Sequence, residues 1–481
     1  MKSTRTGHRW AAVIVAATLM MLAAAIALPA QTFTTLYSFQ GYPKDGLQPY
    51  AGLTQGADGN FYGTTFQGGV SSNCEYGCGT VFRITSAGAL TILHSFDQTT
   101  DGWQPTAGLV QGLDGNFYGT TTYGGTSGGG TVYKMTPAGA VTTLYSFCSQ
   151  SNCTDGYGIG AALILARDGN FYGTAEAGGV SQSCGAEGCG TVFKISPQGV
   201  LTTIHNFDST DGSQPFDSLI QAVDGNFYGT TALGGAYGSG TAFTMTAGGT
   251  LTTLHSFDFT DGGEPKAALV QTTDGNFYGT TTDGGGGNDG GTVFKLTPTG
   301  TFTTLYSFCS QNNCTDGQNP NAAMIEATDG SLYGTTVGFN YNFGTIFKIS
   351  QAGTLTTLVS FDGTNGRNPY AGLLQATDGN IYGTTAQGGT SGYGTVFSLS
   401  VGLLPFVETE PSFGKVGRNI KILGTNLTGA TSVTFNGTAA TFTVELPTAI
   451  KTTVPTGATT GPVHVVTPSG TLTSNVNFRV E

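Results

Sequence analysis

One motif recurs along most of the chain and constrains its fold more than any other feature. The sequence Asp-Gly-Asn-(Phe/Ile)-Tyr-Gly-Thr, with a Ser-Leu variant in the sixth copy, occurs seven times at intervals of 49 to 56 residues. Each copy is followed by Gly-Thr-(Val/Ala/Ile)-(Phe/Tyr), and every repeat also carries a segment similar to Leu-Thr-Thr-Leu-His-Ser-Phe. The motif copies begin at Asp58, Asp114, Asp168, Asp224, Asp274, Asp329 and Asp378. Tandem copies of one unit predict a repeat architecture.

Each repeat contains four segments typical of β-strands, rich in Thr, Val, Phe and Tyr and bounded by Gly, Pro or Asp. In the second repeat they are 107–111, 116–122, 130–136 and 141–147. The Asp-Gly pair between the first two favours a tight hairpin turn, because Gly adopts positive φ without a steric clash. Four antiparallel strands in about 50 residues are typical of one propeller blade.

The two ends of the repeat region indicate how the blades close. Adjacent rings such as Phe117 and Tyr118 point to opposite faces of a strand, and both are buried only if neighbours cover both faces. The chain starts with an unaccompanied fourth strand, 33–39, and its seventh repeat stops at a third strand, 394–400. Pairing these two strands completes seven blades and removes exposed sheet edges, whereas a solenoid would have capping repeats. We therefore predict an all-β fold, a seven-bladed β-propeller closed by the N-terminal strand.

The segments on either side of the repeats lack the repeat motifs and differ from them in composition. From Pro405, short Thr/Val strands alternate with Gly and Pro turns, which suits a small immunoglobulin-like β-sandwich. At the other end, a basic start precedes an apolar run, 10–28, and a Pro-Ala pair, the order of a secretory signal peptide cleaved near Ala27 or Ala30. A retained membrane anchor is the alternative, since the run is nearly long enough to span a bilayer. The predicted domains are 1–30 (signal peptide), 31–402 (propeller) and 403–481 (sandwich).

The net charge of the mature chain limits which classes of partner it can bind. Residues 1–30 hold three basic residues and no acid, so the mature chain carries 14 basic and 29 acidic residues, a net charge of −15. Such a surface repels phosphate backbones and anionic membranes. We expect a secreted or cell-surface monomer that binds neither nucleic acid nor membrane in its mature form.

The eight cysteines fall into four close pairs in Gly- or Asn-containing loops, with no His nearby. In an exported chain such pairs favour local disulfides, and two-thiolate zinc sites, which would need ligands from other loops, are the alternative. The loops closed are short, so the bridges stiffen loops and do not hold the fold. The predicted bridges are Cys74–Cys78, Cys148–Cys153, Cys184–Cys189 and Cys309–Cys314.

Strand order sorts the connections onto two faces. The short Asp-Gly and Pro-x-Gly corners lie on one, here called the corner face. The longer connections and all the Cys pairs lie on the other, here called the loop face. Variable loops on a rigid scaffold are where binding usually resides, so the loop face is the candidate interaction surface.

The loop face repeats an acidic segment and carries one Trp. Carboxylates in Gly loops can hold Ca²⁺, but Asp and Gly also form turns by bonding their own backbone. Trp103 either stacks on a sugar or packs against Pro105. The candidate ligand-binding residues are Trp103, Asp97, Asp101, Asp208, Asp211, Asp258 and Asp261. The nearby His94, His205 and His255 share a repeat position with Tyr and Val, which is typical of packing. We predict no catalytic group, no metal site and no cofactor beyond the Ca²⁺ alternative.

The motifs resemble two known families. The repeats, over about 32–400, resemble the GloVer tandem-repeat family of bacterial surface and secreted proteins, which implies no particular activity. That family often carries C-terminal sorting anchors, and no such tail is seen before Glu481. The segment 405–481 resembles the IPT/TIG immunoglobulin-like domain through 411–417, 422–427, 433–437 and 461–465. This resemblance implies a spacer or binding module, and the acidic charge conflicts with the DNA binding of its transcription-factor relatives.

Together these features favour an exported, non-catalytic binding or structural protein that recognises a glycan or a cell-surface protein through the loop face. The alternative is a propeller enzyme, a hydrolase or lyase acting on extracellular polysaccharide. That alternative requires carboxylates within about 5–10 Å of each other at the channel mouth.

Overall fold

The computed structural model describes residues 31–286, 288–338 and 342–481, so the predicted signal peptide lies outside the described residues. Apart from two single-turn 3₁₀ helices, Ser151–Cys153 and Asn312–Cys314, regular structure in these ranges is all β. Over the same ranges, no helix has the length and hydropathy that crossing a membrane requires.

Each repeat forms a four-stranded antiparallel sheet, and the described residues contain seven of these sheets. The innermost strands are Thr54–Gln55, Val110–Gln111, Ile164–Leu165, Ile220–Gln221, Val270–Gln271, Ile325–Glu326 and Leu374–Gln375. The second strands are Phe61–Thr65, Phe117–Thr121, Phe171–Ala175, Phe227–Thr231, Phe277–Thr281, Leu332–Thr336 and Ile381–Thr385. The third strands are Thr80–Ile84, Thr131–Met135, Thr191–Ile195, Thr241–Met245, Thr292–Leu296, Thr345–Ile349 and Thr395–Ser400. The outer strands are Leu90–Ser95, Val141–Ser146, Leu201–Asn206, Leu251–Ser256, Phe302–Ser307, Leu355–Ser360 and the N-terminal Thr32–Ser38. A small extra ladder joins Gly46–Leu47 to Gln67–Gly68.

The N-terminal strand belongs to the last sheet, as the number of strands at the two ends of the repeat region predicted. It runs antiparallel to Thr395–Ser400, with Thr32 opposite Ser400 and Ser38 opposite Thr395. The Phe33 ring lies 5.2 Å from that of Phe397, so side-chain packing accompanies the backbone pairing.

Aromatic rings join each sheet to the next. The Tyr of one motif packs on the Phe of the following motif, as in Tyr62 with Phe117, and the first and last repeats meet in the same way through Phe61 and Tyr382. The ring centroids of the five Tyr–Phe pairs lie 4.0–4.3 Å apart. These rings are at most 2% exposed. Both rings of each Phe-Tyr pair are therefore buried, as predicted for a sheet covered on both faces.

A second contact between repeats comes from the Thr that follows Tyr-Gly. The Thr64 hydroxyl donates to the carbonyl of Ala107 at 3.1 Å, and that of Thr384 donates to Ala51, linking last repeat to first. Six of the seven equivalent Thr make this bond, and the buried Thr280 hydroxyl has no partner among the described residues. Each bond satisfies a polar group that burial would otherwise penalise.

The corner motif is explained by its Asp. Asp114 accepts from the backbone N–H of Asn116 at 3.1 Å and from the Tyr118 hydroxyl at 3.0 Å. All seven copies repeat both bonds. Burial opposes ionisation of Asp114, yet hydrogen bonds from Lys134, Asn116 and Tyr118 lower its pKa to about 2. The Asp thus fixes both the turn and the ring that stacks on the next sheet.

The C-terminal residues form two four-stranded sheets around one apolar core. The first contains Glu408–Glu410, Asn419–Leu423, Ala449–Thr453 and Phe442–Leu446. The second contains Thr438–Ala439, Ser432–Phe435, Val463–Thr467 and Gly470–Thr473. Phe413–Gly414 pairs in parallel with Arg479–Val480. The strand Phe442–Leu446 was not predicted, although its apolar Phe442 and Val444 alternate with polar residues and pack against the core.

These C-terminal strands lie against the corner face. The Thr448 hydroxyl donates to the carbonyl of Ala57 at 2.8 Å, and Arg479 donates to the carbonyl of Val223. Ala57 and Val223 precede the corner Asp residues of the first and fourth repeats. The C-terminal domain therefore leaves the loop face free.

Deleting Phe33–Phe39 should lower the melting temperature more than deleting 405–481. The first deletion removes the outer strand of the last sheet and opens the edge of Thr395–Ser400, whereas the second removes a separate core. Differential scanning calorimetry of both truncations beside the intact mature chain measures this. Equal melting temperatures would contradict a structure that depends on the N-terminal strand.

Candidate functional site

The four predicted Cys pairs are all bridged, and no described cysteine is free. Each bridge lies in a loop-face connection, so the thiolates that zinc would need are not available. Four disulfides are consistent with a location outside the cytoplasm.

Three of the predicted acidic residues tie their loop to a neighbouring strand. Asp101 accepts from His94 Nε2 at 2.6 Å and from the backbone N–H of Asp97 at 2.7 Å. Asp211 and Asp261 repeat this arrangement with His205, Asp208, His255 and Asp258. These carboxylates therefore serve as loop anchors.

The other three acidic residues form turns. Asp97 accepts from both the backbone N–H and the hydroxyl of Thr99, and these hydrogen bonds lower its pKa. Asp208 and Asp258 bond Thr210 and Thr260 in the same way. No three His, Cys, Asp or Glu side chains are grouped to hold a metal ion in the described part of the chain. The contacts observed are those of the turn interpretation.

The shared His position does more than pack. In other repeats Tyr37, Tyr145 and Tyr306 donate to the equivalent Asp at 2.7–2.9 Å. Where the position is Val359, which cannot donate, the acid is replaced by Asn365, whose Oδ1 still accepts from the backbone of the loop. The repeats thus pair a donor with Asp and an apolar residue with Asn, which avoids a half-buried carboxylate without a partner. Comparing the repeats position by position would have found this signal.

Trp103 is half-buried on the loop face. It forms a β-bridge with Tyr123, their ring centroids are 5.9 Å apart, and it packs against the core between the first two repeats. The Tyr123 ring, 38% exposed, is the more accessible of the two.

One charged residue that breaks the repeat pattern was missed. Asp217 occupies a position that is Ala in the other six repeats. It accepts from the backbone N–H of Ser218 at 2.6 Å and from that of Ala268, on the innermost segment of the next repeat, at 2.9 Å. Burial raises its pKa. It links two innermost segments, and its contacts do not identify a ligand.

A pocket of about 840 Å³ opens on the loop face between the fifth, sixth and seventh repeats. Its charged groups are Asp283 and Asp289, and it also contains the ring of Tyr370. Seven amide side chains line it: Asn288, Gln311, Asn312, Asn313, Gln318, Asn319 and Asn321. The Thr282 hydroxyl, on a residue only 7% exposed, has no hydrogen-bond partner among the described residues. The sequence did not reveal this pocket, because its walls come from three repeats that meet only in the fold.

Among the described residues, the pocket lining combines neutral hydrogen-bonding groups with two carboxylates and the ring of Tyr370. Asn319 donates to Asp283 Oδ1 at 3.1 Å. Burial and, after it, the nearby Glu264 raise the pKa of Asp283. The pocket can therefore both accept and donate hydrogen bonds, and no lysine or arginine is among the described residues that line it.

Reduction of the four disulfides should loosen the loop face without unfolding the sheets. Peptide mapping of the oxidised mature protein should give only the four local linkages, with no free thiol. After reduction, hydrogen exchange should rise in the four bridged loops, while the melting temperature falls by only a few degrees, because each bridge closes a short loop. A linkage between loops, or loss of the strands' exchange protection, would contradict this.

The hydrogen-bonded pairs of His or Tyr with Asp can be tested by introducing the Val and Asn combination that the chain already contains at Val359 and Asn365. His205→Val should reduce the free energy of unfolding by about 1–2 kcal/mol, because the Asp211 carboxylate loses its donor. Adding Asp211→Asn recreates the Val359–Asn365 combination and should restore most of the loss. Denaturant unfolding of both single variants and the double variant measures the coupling. Additive losses would show that the side chains do not interact.

Comparison with known protein families identifies both the repeats and the C-terminal domain. A family model described as the Gloeobacter/Verrucomicrobia repeat matches residues 23–185, 152–336 and 309–438, and the IPT/TIG domain matches 407–480. No curated protein matches the sequence.

Solved structures are similar at low identity. The extracellular domain of a proposed hybrid two-component system from B. thetaiotaomicron is 12% identical, with a TM-score of 0.49 over 94% of this chain, which spans 59% of that protein's length. A gluconolactonase from Xanthomonas campestris is 11% identical, with a TM-score of 0.40 over 77% of this chain and 90% of its own. With three model matches that together cover most of its length, the chain belongs to the Gloeobacter/Verrucomicrobia repeat family and carries a C-terminal IPT/TIG domain.

Proposed function

We propose that the chain is an exported, non-catalytic binding protein that recognises a neutral glycan in the loop-face pocket. Under this proposal the seven sheets form a closed seven-bladed propeller, which is the scaffold of the pocket. The pairing of the N-terminal strand with the last repeat and the Phe61–Tyr382 contact support that closure.

The observation that carries the proposal is the chemistry of the pocket lining. Sugars present dense hydroxyls, each a donor and an acceptor, around a ring with apolar faces. Seven amides and the unpartnered Thr282 hydroxyl offer matching groups, and the Tyr370 ring offers a stacking surface. Asp283 and Asp289 disfavour uronic or sulfated sugars, because like charges repel.

A glycan array with the mature chain, followed by calorimetry on the best neutral oligosaccharide, tests this function. Tyr370→Ala should weaken binding about tenfold through lost ring contact, and Thr282→Val several-fold through a lost hydrogen bond. Matched controls are Tyr393→Ala, another partly exposed loop-face ring, and Thr122→Val, the equivalent Thr of the second repeat. No binding across neutral sugars, or equal losses in the controls, would contradict the proposal.

A polysaccharide-cleaving enzyme is the second candidate, favoured by one observation. Asp283 and Asp289 share the pocket, and burial raises the pKa of Asp283, as a general acid requires. Release of reducing or unsaturated ends from a bound glycan, abolished in Asp283→Asn, would support this candidate over simple binding.

A further inference from the structure

A second cavity, of about 870 Å³, lies between the corner face and the C-terminal domain. The ends of the innermost strands in the second and third repeats supply an apolar wall that includes Leu109, Val110 and Ile164. The opposite wall is the first C-terminal sheet, which contributes charged side chains. The two walls therefore differ sharply in polarity.

Several polar groups in this cavity have no partner. Glu410 lies directly opposite Lys421 in the sheet, and Lys421 lies opposite Lys451, yet none of the three makes a side-chain hydrogen bond or ion pair among the described residues. Burial, and after it Glu408, raises the pKa of Glu410 to about 8, against the opposing effect of Lys421. Glu410 and Lys421 are half-buried and Lys451 is exposed, so all three side chains can contact a ligand that enters the cavity.

Gln111 adds a neutral acceptor to the same cavity. In other repeats the equivalent side-chain oxygen accepts a backbone N–H from the preceding repeat, as Gln221 does from Arg167 at 2.9 Å and Gln375 from Thr328 at 2.9 Å. The Oε1 atom of Gln111 is buried and has no partner in the described structure. The cavity therefore has one apolar wall and polar groups around it. Among these groups are the Glu410 carboxylate, the Gln111 amide and the ammonium groups of Lys421 and Lys451.

We propose that this cavity binds a small zwitterion with an apolar side chain, that is, a free hydrophobic amino acid. The ligand's ammonium group pairs with Glu410 and Gln111, its carboxylate with Lys421 and Lys451, and its side chain with Leu109 and Ile164. The site is on the opposite face from the glycan pocket and does not depend on the proposed function. Because its ligand contacts both domains, binding also stabilises their docking.

The test uses the intact mature chain, with L-leucine as the probe, in calorimetry and thermal melts. Leucine should bind and raise the melting temperature, whereas N-acetyl-leucine, which lacks the ammonium, and leucinamide, which lacks the carboxylate, should bind at least tenfold more weakly. This comparison needs no variant. Undetectable binding at 10 mM leucine, or equal affinity for all three compounds, would overturn the proposal.

Two variants assign the ends of the ligand. Glu410→Gln should weaken leucine and leucinamide but not N-acetyl-leucine, and Lys421→Met should weaken leucine and N-acetyl-leucine but not leucinamide. The controls are Glu75→Gln on the loop face and Lys415→Met, an exposed position in the same domain. Uniform weakening of all compounds by either variant would instead indicate loss of domain docking and count against the assignment.

Binding should also depend on pH in a fixed direction. Glu410 must lose its proton to pair with an ammonium group, so affinity for leucine should rise from pH 6 to pH 8.5, and this rise should vanish in Glu410→Gln. The charged groups facing Glu410 are Glu408, Arg418, Lys421, Glu445, Lys451 and Asp114, the last already paired with Lys134. A pH-independent affinity in the intact chain would exclude Glu410 as the partner of the ammonium.

Discussion

The packing of one tyrosine on the next repeat's apolar residue is the contact on which the rest of the structure depends. Tyr118 lies on Phe171 with its ring, and its hydroxyl is held by Asp114 at the corner of its own sheet. The same side chain therefore fixes the turn, the strand direction and the position of the next sheet. Where the partner is aliphatic, as in Tyr278 beside Leu332, the contact remains apolar and buried.

A close approach at the neighbouring Gly supports this packing. A Cβ placed on Gly63 would lie 2.6 Å from the ring of Phe82, and the equivalent Gly of every repeat meets the aromatic residue of the third strand in the same way. The Gly in Tyr-Gly-Thr is required by that ring and not by an unusual backbone angle. The motif is thus a set of contacts that must occur together, which is why it is repeated with so little change.

Such local regularity made much of the fold predictable. The second strand of the second repeat, expected at 116–122, spans Phe117–Thr121, and the first strand pairs with the last sheet as the unequal ends of the repeat region implied. The disulfides were also predictable, because each joins neighbours in sequence. The loop-face pocket and the docking of Thr448 on Ala57 were not, since both depend on surfaces that only folding brings together. Asp217 was missed for a different reason: it was visible as a departure from Ala, but its role follows only from its contact with Ala268.

The pairing of Thr32 with Ser400 has a consequence for how this chain is made. The strand Thr32–Ser38 leaves the ribosome before any of the repeats, and its partner is completed only after all seven repeats have been synthesised. Until then the third strand of every earlier repeat can pair with its neighbours, but the N-terminal strand has no partner. Bringing the two ends of the repeat region together also carries an entropic cost, because the chain between them is long. Vectorial synthesis therefore leaves a Thr- and Phe-rich segment open to wrong partners for most of translation. A chain of this design gains from being kept unfolded until its seventh repeat has emerged, because both strands of the closing pair are then available to each other.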